Sequence, residues 1–323
     1  MRKTGLSLLT ATALLLALAG SAAAQDYPIK PVRLIIPFPP GGSNDVVGRM
    51  IATQLGERLG KQVIVDNRGG AGGVLGTEVA AGAAPDGYTI LVVSLAYTVN
   101  PWLYKLKYDP LKSFVPVAML ASGANVLTVH PSVPVNSLEQ LIALAKQKPG
   151  ELNYASAGAG SFQHLGSELF KLMAGVDIVH VPFKGGGPAM IDVVGGHSQV
   201  LVSSLVQTGA HIRSGKLKAL GVGSAKRSSL FPDIPTIAEA GVPGYDTSSW
   251  FAFFVPARTP PDIIRKMHAD IIAVLAEAPI RAKLEQQGLI PIGSTPEELG
   301  AHLKSEMEKW APVIKAAGIR VEQ

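Results

Sequence analysis

The sequence predicts an α/β protein made of two doubly wound units that face a common cleft. Three observations lead there. The first hundred residues repeat an apolar run, a turn-forming loop and a helical stretch three times, the rhythm of a parallel sheet with helices on both faces. The same rhythm returns between residues 125 and 248. A chain near 300 residues buries about 75% of its unfolded surface, usually in two lobes.

Residues 1–24 stand apart from this pattern. Arg2 and Lys3 precede an apolar run through Leu14, Leu15, Leu16 and Leu18, and Gly20, Ser21 and Ala22 to Ala24 supply a small-residue cleavage site. That is the pattern of a secretory signal peptide, with cleavage expected after Ala24. The run is short of the ~20 apolar residues of a membrane span, and no other segment reads as one, so no membrane insertion of the mature chain is expected. The sequence has no cysteine, which excludes a lipid anchor, disulfides, thiolate metal sites and a cysteine nucleophile. Cleavage would remove two basic residues from a formal charge of +5. The remainder is too mild to imply nucleic acid or an anionic membrane.

The first repeat organises the chain. Val32 to Phe38 (VRLIIPF) suits a buried strand. Val47, Ile51, Leu55 and Leu59 lie four apart in an amphipathic helix. Between them Pro39, Pro40, Gly41 and Gly42 must turn the chain sharply, and Ser43, Asn44 or Asp45 can cap the helix. Gln62 to Asn67 is a second strand, and Arg68 to Gly76 is a glycine-rich loop into a helix. It misses the dinucleotide fingerprint, because Leu75 stands where the third glycine belongs; it reads as a tight turn with close helix–sheet packing. Tyr88 to Val93 is a third strand, and a short helix is expected to start at Pro101.

Val115 to Leu120 and Asn125 to His130 read as two further apolar runs, and Ser137 to Gln140 as a capping box. Leu152 to Ser156 is a strand running into Ala157 to Ser161, and the helix beyond is expected to bury Leu165, Leu169, Leu172 and Met173. Val176 to Phe183 is a strand that Lys184 to Gly187 turns into a helix at Pro188. Gln199 to Ser203 and Leu217 to Gly223 complete the second block. Ser249 to Val255, the most aromatic stretch, reads as a buried strand, with Trp250 either core or ligand platform. Pro261 opens a helix to about Glu277. Thr295 to Glu298 is a capping box for a helix with Leu299, Leu303, Met307, Trp310 and Ile314 on one stripe.

Two stretches carry the chemistry, Phe38 to Gly42 and Ser156 to Ser161, with Lys184 to Gly187 as a third of the same kind. Each is a strand end, a glycine turn and a helix start. In open parallel sheets ligands bind beyond the carboxyl ends of the strands, and helix N-termini attract anions. A helix end contributes about 0.3–1 kcal/mol, whereas micromolar affinity needs about 8 kcal/mol. Hydrogen bonds to a charged ligand, at about 1.5–3 kcal/mol each, must supply the rest. The expected donors are Ser94, Ser156, Ser161 and the backbone of Gly41, Gly42 and Gly160. The candidate ligand-binding set is Phe38, Pro39, Pro40, Gly41, Gly42, Asp45, Ser94, Ser156, Gly158, Gly160, Ser161, Lys184, Gly185 and Ser203. Lys184 can meet a carboxylate or simply be solvated. Ser161 and His164 suggest a nucleophile and base, but the G-x-S-x-G elbow is broken by Ala159 and Gln163. No catalytic residue is assigned. The seven histidines lack metal-ligand spacing, so no metal or cofactor is expected.

The blocks PIKPVRLIIPFPPGGSND, VIVDNRGGAGGVLG, APDGYTIL, NYASAGAGSFQHLGSELF, HVPFKGGGPAMIDVVGGH and TPEELGAHLKSEMEKWAPVIKAAGI resemble the Bug family, the substrate-binding proteins of tripartite tricarboxylate transporters. The resemblance covers essentially all of residues 25–323. It implies a periplasmic Venus-flytrap fold of type II, two α/β domains joined by two crossover strands. It implies a small carboxylate held by the loops Phe38 to Gly42 and Ser156 to Ser161, with delivery to membrane transporter subunits. Gln199 departs from the acidic residue expected in many relatives, which bears on ligands carrying an amino group. The expected domains are residues 25–124 with 249–323, and residues 125–248, in a monomer. Two alternatives are a periplasmic sensing module that signals to a receptor, and an exported serine hydrolase.

Overall fold

The computed structural model describes residues 27–319; the expected signal peptide and its cleavage site lie outside the described residues. The first repeat becomes β1 (Val32–Ile36), α1 (Ser43–Leu59), β2 (Val63–Asn67), α2 (Val74–Ala81), β3 (Thr89–Val93) and α3 (Leu95–Leu103). The strands β1, β2 and β3 pair in parallel, as the repeat requires. Next come β4 (Phe114–Val129), α4 (Leu138–Gln147), β5 (Asn153–Ser156), α5 (Phe162–Ala174), β6 (Val179–Pro182), α6 (Gly186–Val194), β7 (Val200–Ser204), α7 (Leu205–Arg213) and β8 (Lys218–Val222). The strands β5, β6 and β7 again pair in parallel. The chain closes with β9 (Ser248–Pro256), α8 (Pro261–Ala276), α9 (Ala278–Gln286), β10 (Leu289–Pro291) and α10 (Pro296–Ala316).

Two α/β units result, joined through long strands. The strand order is β2-β1-β3-β9-β4-β7-β5-β6, with β8 and β10 also on β4. β4 pairs with β9 from Phe114 to Ala124, then with β7 and β8 from Asn125 to Val129. The chain returns beside this crossing, where Thr247 N–H donates to Gly223 O at 2.6 Å and Gly223 N–H to Asn125 O at 2.7 Å. Each unit has its own core. Leu34, Val47, Ile51, Val92 and Phe253 pack with Ile271 in one, and Leu127, Tyr154, Phe170, Val202 and Tyr245 in the other. A further cluster joins Leu95, Val99 and Leu103 to Phe162, Leu165 and Trp310, so α3, α5 and α10 meet across the units.

Several local expectations change. The two runs at Val115–Leu120 and Asn125–His130 are one strand of 16 residues. Ser122 and Gly123 interrupt its hydrophobicity but not its pairing, because they sit between β9 and β10. α3 starts at Leu95, with Pro101 inside it rather than at its head. The face of α5 turned inward carries Phe162, Leu165 and Phe170, whereas Leu172 and Met173 are 49% and 38% exposed. The Ser137 box is half formed: Ser137 Oγ accepts from Gln140 N–H, but Gln140 Oε1 takes the Asn136 N–H. Trp250 is core, with its Nε1 donating to Glu306.

The Thr295 box is complete. Thr295 Oγ1 accepts from Glu298 N–H at 3.1 Å, and Glu298 Oε2 from Thr295 N–H at 2.9 Å. Thr295→Ala is expected to cost about 1 kcal/mol, read as a lower urea midpoint at unchanged slope. No helix among the described residues is long and apolar enough to cross a membrane.

Candidate functional site

The first wall begins where β1 ends. Pro37 and Phe38 are buried, Pro39 and Pro40 turn outward, and Gly41 takes φ +85°. α1 starts at Ser43 with extended Gly42 as its N-cap and no side-chain cap. Asp45, in the first turn, instead reaches back: its Oδ2 accepts from Gly41 N–H at 3.0 Å. Its Oδ1 accepts from Arg49 Nε and Asn67 Nδ2, and Asn67 also donates to Phe38 O. This ties the loop to β2 and makes it rigid. It also corrects two expectations: none of Ser43, Asn44 and Asp45 caps the helix, and the Gly41 N–H is not a free donor. Ser94, at the end of β3, is the N-cap of α3.

The second wall is built the same way. Gly158 and Gly160 take φ +110° and +77° beyond β5, and Ser161 caps α5, its Oγ accepting from His164 N–H at 3.3 Å. The Gly160 N–H donates to His164 Nδ1 at 3.1 Å, so this donor too is used within the loop. Ser156 Oγ pairs with His180 Nε2 at 2.6 Å and accepts from Gly158 N–H; it is fully buried behind the wall. The rings of Tyr154, His180 and His164 stack, the two imidazoles 4.1 Å apart. Burial, then the Lys171 charge, hold His164 down to about 4. Burial, then His164 and Lys171 against the pull of Glu168, hold His180 at about 3. Both rings are therefore neutral at pH 7. The His164 ring turns to Gly160 and does not pair with Ser161, so the arrangement is not that of a serine nucleophile and its base.

The walls meet on a small hollow of about 20 Å³, roughly the room of one water centre. Five helices start around it: α1 through Ser43 and Asn44, α3 through Ser94, α5 through Ser161 and Gln163, α6 through Gly186, and α7 through Gln207. No charged side chain lines it. The positive ends of the peptide dipoles converge, and the hollow can solvate one anionic group without a counter-ion.

A buried polar network holds the walls together. Ser43 Oγ crosses from the first wall to Ser204 Oγ at 2.7 Å and to Gln207 Oε1 at 3.2 Å, and within the second wall Gln163 reaches Ser203 and Gln207. Tyr104 OH donates to Ala159 O at 3.2 Å. Gly185 lies so close to Pro39 that a Cβ on it would come within 3.0 Å of the ring. The two units are closed upon each other.

Of the residues expected from the sequence, Phe38, Gly42, Ser94 and Ser161 line the hollow. Ser156, Gly158, Gly160, Asp45 and Ser203 hold its walls through hydrogen bonds. Pro39, Pro40, Gly41 and Gly185 form the closing contacts of the loops. Lys184 is exposed and does not line the hollow. Gln199 lies away from it, its side chain bonded to Asn153 N–H and His197 O. Sequence reasoning missed Ser43 and Asn44 as lining residues, and with them Gln163 and Gln207. The available signal was position, since each falls in the first turn of a helix at a strand end. Among the described residues no group of three or more His, Asp or Glu is placed to hold a metal.

Residues 47–319 match the family described as "Tripartite tricarboxylate transporter family receptor". The chain is 39% identical to protein BugT of Bordetella pertussis, over 98% of both chains. Its structure is similar to that of a protein from R. palustris solved with adipate, at 36% identity and a TM-score of 0.89, covering 91% of this chain and 100% of that one. It is also similar to MatC from Rhodopseudomonas palustris, solved with bound malate, at 32% identity and a TM-score of 0.85, covering 89% and 100%.

Proposed function

Since the chain belongs to the tripartite tricarboxylate transporter receptor family, we propose that it is a periplasmic solute-binding protein that captures a small organic acid by its carboxylate and delivers it to a membrane transporter. The observation that carries this reading is the convergence of five helix N-termini on one hollow whose lining has no charged side chain. Such a lining stabilises an anion through N–H dipoles and side-chain donors. The relatives solved with adipate and malate support a carboxylate as the guest.

On this reading the described parts of residues 25–124 and 249–323 form one lobe of the receptor and residues 125–248 the other. The crossing of β4 between Ala124 and Asn125, and the return at Thr247, are the hinge. A hollow of about 20 Å³ has room for about one water and not for a whole organic acid. The ligand therefore enters with the lobes apart, and closure around its head group shifts the balance towards the closed form.

The test is a thermal-shift screen of mono- and dicarboxylates on the purified mature chain. A ligand at a hundred times its Kd stabilises by about 2.7 kcal/mol, so the right acid is expected to raise Tm by several degrees. A broad carboxylate panel without a shift, and without heat in calorimetry, would count against the reading.

A further inference from the structure

We infer that the site discriminates by donor and acceptor: it takes a carboxylate end that bears no ammonium group and rejects a carboxylate end that bears one. This rests on the carboxylate-binding reading above and names which carboxylates qualify.

One backbone amide sets the polarity of the lining. Ala157 N–H donates to Gln163 Oε1 at 2.9 Å. A backbone N–H can only donate, so this contact fixes which way the Gln163 amide faces. Its Nε2 then points into the network, to Ser203 Oγ at 3.3 Å and Gln207 Oε1 at 3.2 Å. That in turn fixes Gln207. Its Oε1 also receives Ser43 Oγ and Ser203 Oγ, both at 3.2 Å, and its acceptor capacity is used. The Gln207 Nε2 makes no hydrogen bond among the described residues, and Gln207 lines the hollow.

Two other acceptors nearby are also spent. Ser161 Oγ accepts from the helix and keeps its proton to give. Asp45, the carboxylate of the first loop, is taken by Gly41, Arg49 and Asn67. Asn44 has a buried Oδ1 without a partner; with no neighbour holding it, its amide can turn Nδ2 towards the guest.

A lining in this state presents N–H and O–H groups and no carboxylate. A deprotonated carboxyl group is acceptor-only and matches it. An ammonium group is donor-only: it would oppose the Gln207 Nε2 and the helix dipoles, with no anion beside it, and a buried charge without a partner is strongly disfavoured. Ser43 and Gln207 belong to different walls, 164 residues apart in sequence, so the polarity of the lining is completed only on closure.

The experiment is calorimetric titration of the mature wild-type protein with matched pairs whose amino member carries an ammonium group beside both carboxylates: succinate and 2,3-diaminosuccinate, adipate and 2,5-diaminoadipate, pimelate and 2,6-diaminopimelate. At least one amino-free acid is expected to bind, with its amino partner ~100-fold weaker; a difference above tenfold supports the inference. An amino acid that binds within tenfold of its partner, or more tightly, overturns it while leaving the carboxylate reading intact. If no member of any pair binds, the carboxylate reading itself falls and the inference with it. Gln163→Glu supplies a second arm. The new carboxylate still accepts from Ala157 but offers Gln207 an acceptor in place of a donor, turning the Gln207 carbonyl towards the hollow. The preference is expected to move at least tenfold towards the amino acid; an unchanged ratio in a variant that melts like the wild type overturns the inference. Should this variant not fold, the wild-type pairs decide alone.

Discussion

Gly76→Ala is expected to destabilise the fold by roughly 3 kcal/mol, at the upper end of what overpacking by one methyl group costs. A Cβ at Gly76 would meet Arg68 O and, at 2.7 Å, Pro37 Cα. Both are backbone atoms, and they belong to the segments that leave β2 and β1 beneath α2. Backbone in a paired sheet cannot step aside: Arg68 N–H is bonded to Ile36 O at 2.8 Å. Gly48 in α1 is the control. Its Cβ would come within 2.9 Å of Ile36 Cδ1, the end of a flexible side chain, and alanine gains about 1 kcal/mol of helix propensity there. Urea unfolding of both variants should therefore show a large loss for Gly76→Ala and a change of about 1 kcal/mol or less for Gly48→Ala. Equal losses would mean that the close approach of α2 to the sheet is not what Gly76 serves. Because Pro37 leads directly into Phe38, the Gly76 variant is also expected to weaken ligand binding.

The second large effect is acid destabilisation by the stacked histidines. A free histidine titrates near 6.5, whereas burial and Lys171 hold His164 at about 4, and burial with His164 and Lys171 holds His180 at about 3. The unfolded chain thus binds protons at these positions before the folded one does. Their contribution is fully present above about pH 6.5 and is lost as the pH falls from there, towards 4 for His164 and towards 3 for His180. For His164 alone the window is worth roughly 3 kcal/mol. The groups facing the pair are Tyr154, Glu168 and Lys171; Glu168 accepts from both Tyr154 OH and Lys171 Nζ, so its charge is already engaged. Denaturant unfolding between pH 7.5 and 4 should show the fall, and His164→Asn with His180→Asn should flatten its upper part. A parent and double variant with the same slope above pH 4.5 would show that other groups control the acid limb. Protonating His164 Nδ1 also removes the acceptor of the Gly160 N–H, so affinity should fall in the same direction.

Much of this architecture was legible in the chain. The alternation of β-branched runs with glycine turns and spaced leucines gave β1, α1, β2 and β3 within a few residues, because those patterns depend on neighbours three or four positions away. The Arg68–Gly76 turn, read from its glycines as a close helix–sheet contact, has that geometry at Gly76. The stripe along α10 was read correctly for the same reason: Leu299, Leu303, Trp310 and Ile314 are all buried. The stripe along α5 was not. Leu172 and Met173 fit the period, but the partners that decide its inner face, such as Tyr245 bonded to Gly166 O, come from far along the chain. The single long strand β4 was read as two because Ser122 and Gly123 look like a break until β9 and β10 are in place.

By itself, then, the chain determined the alternation of elements and the three glycine loops at strand ends, since backbone freedom and hydrophobic period are local properties. Tertiary structure alone decided which atoms of those loops remain to meet a guest. Asp45 consumes one amide and His164 another, while Ala157 orients a glutamine that orients a second on the same wall. A hydrogen bond needs its partner within about 3 Å and correctly directed, and only folding brings Ser43 and Gln207 to that distance.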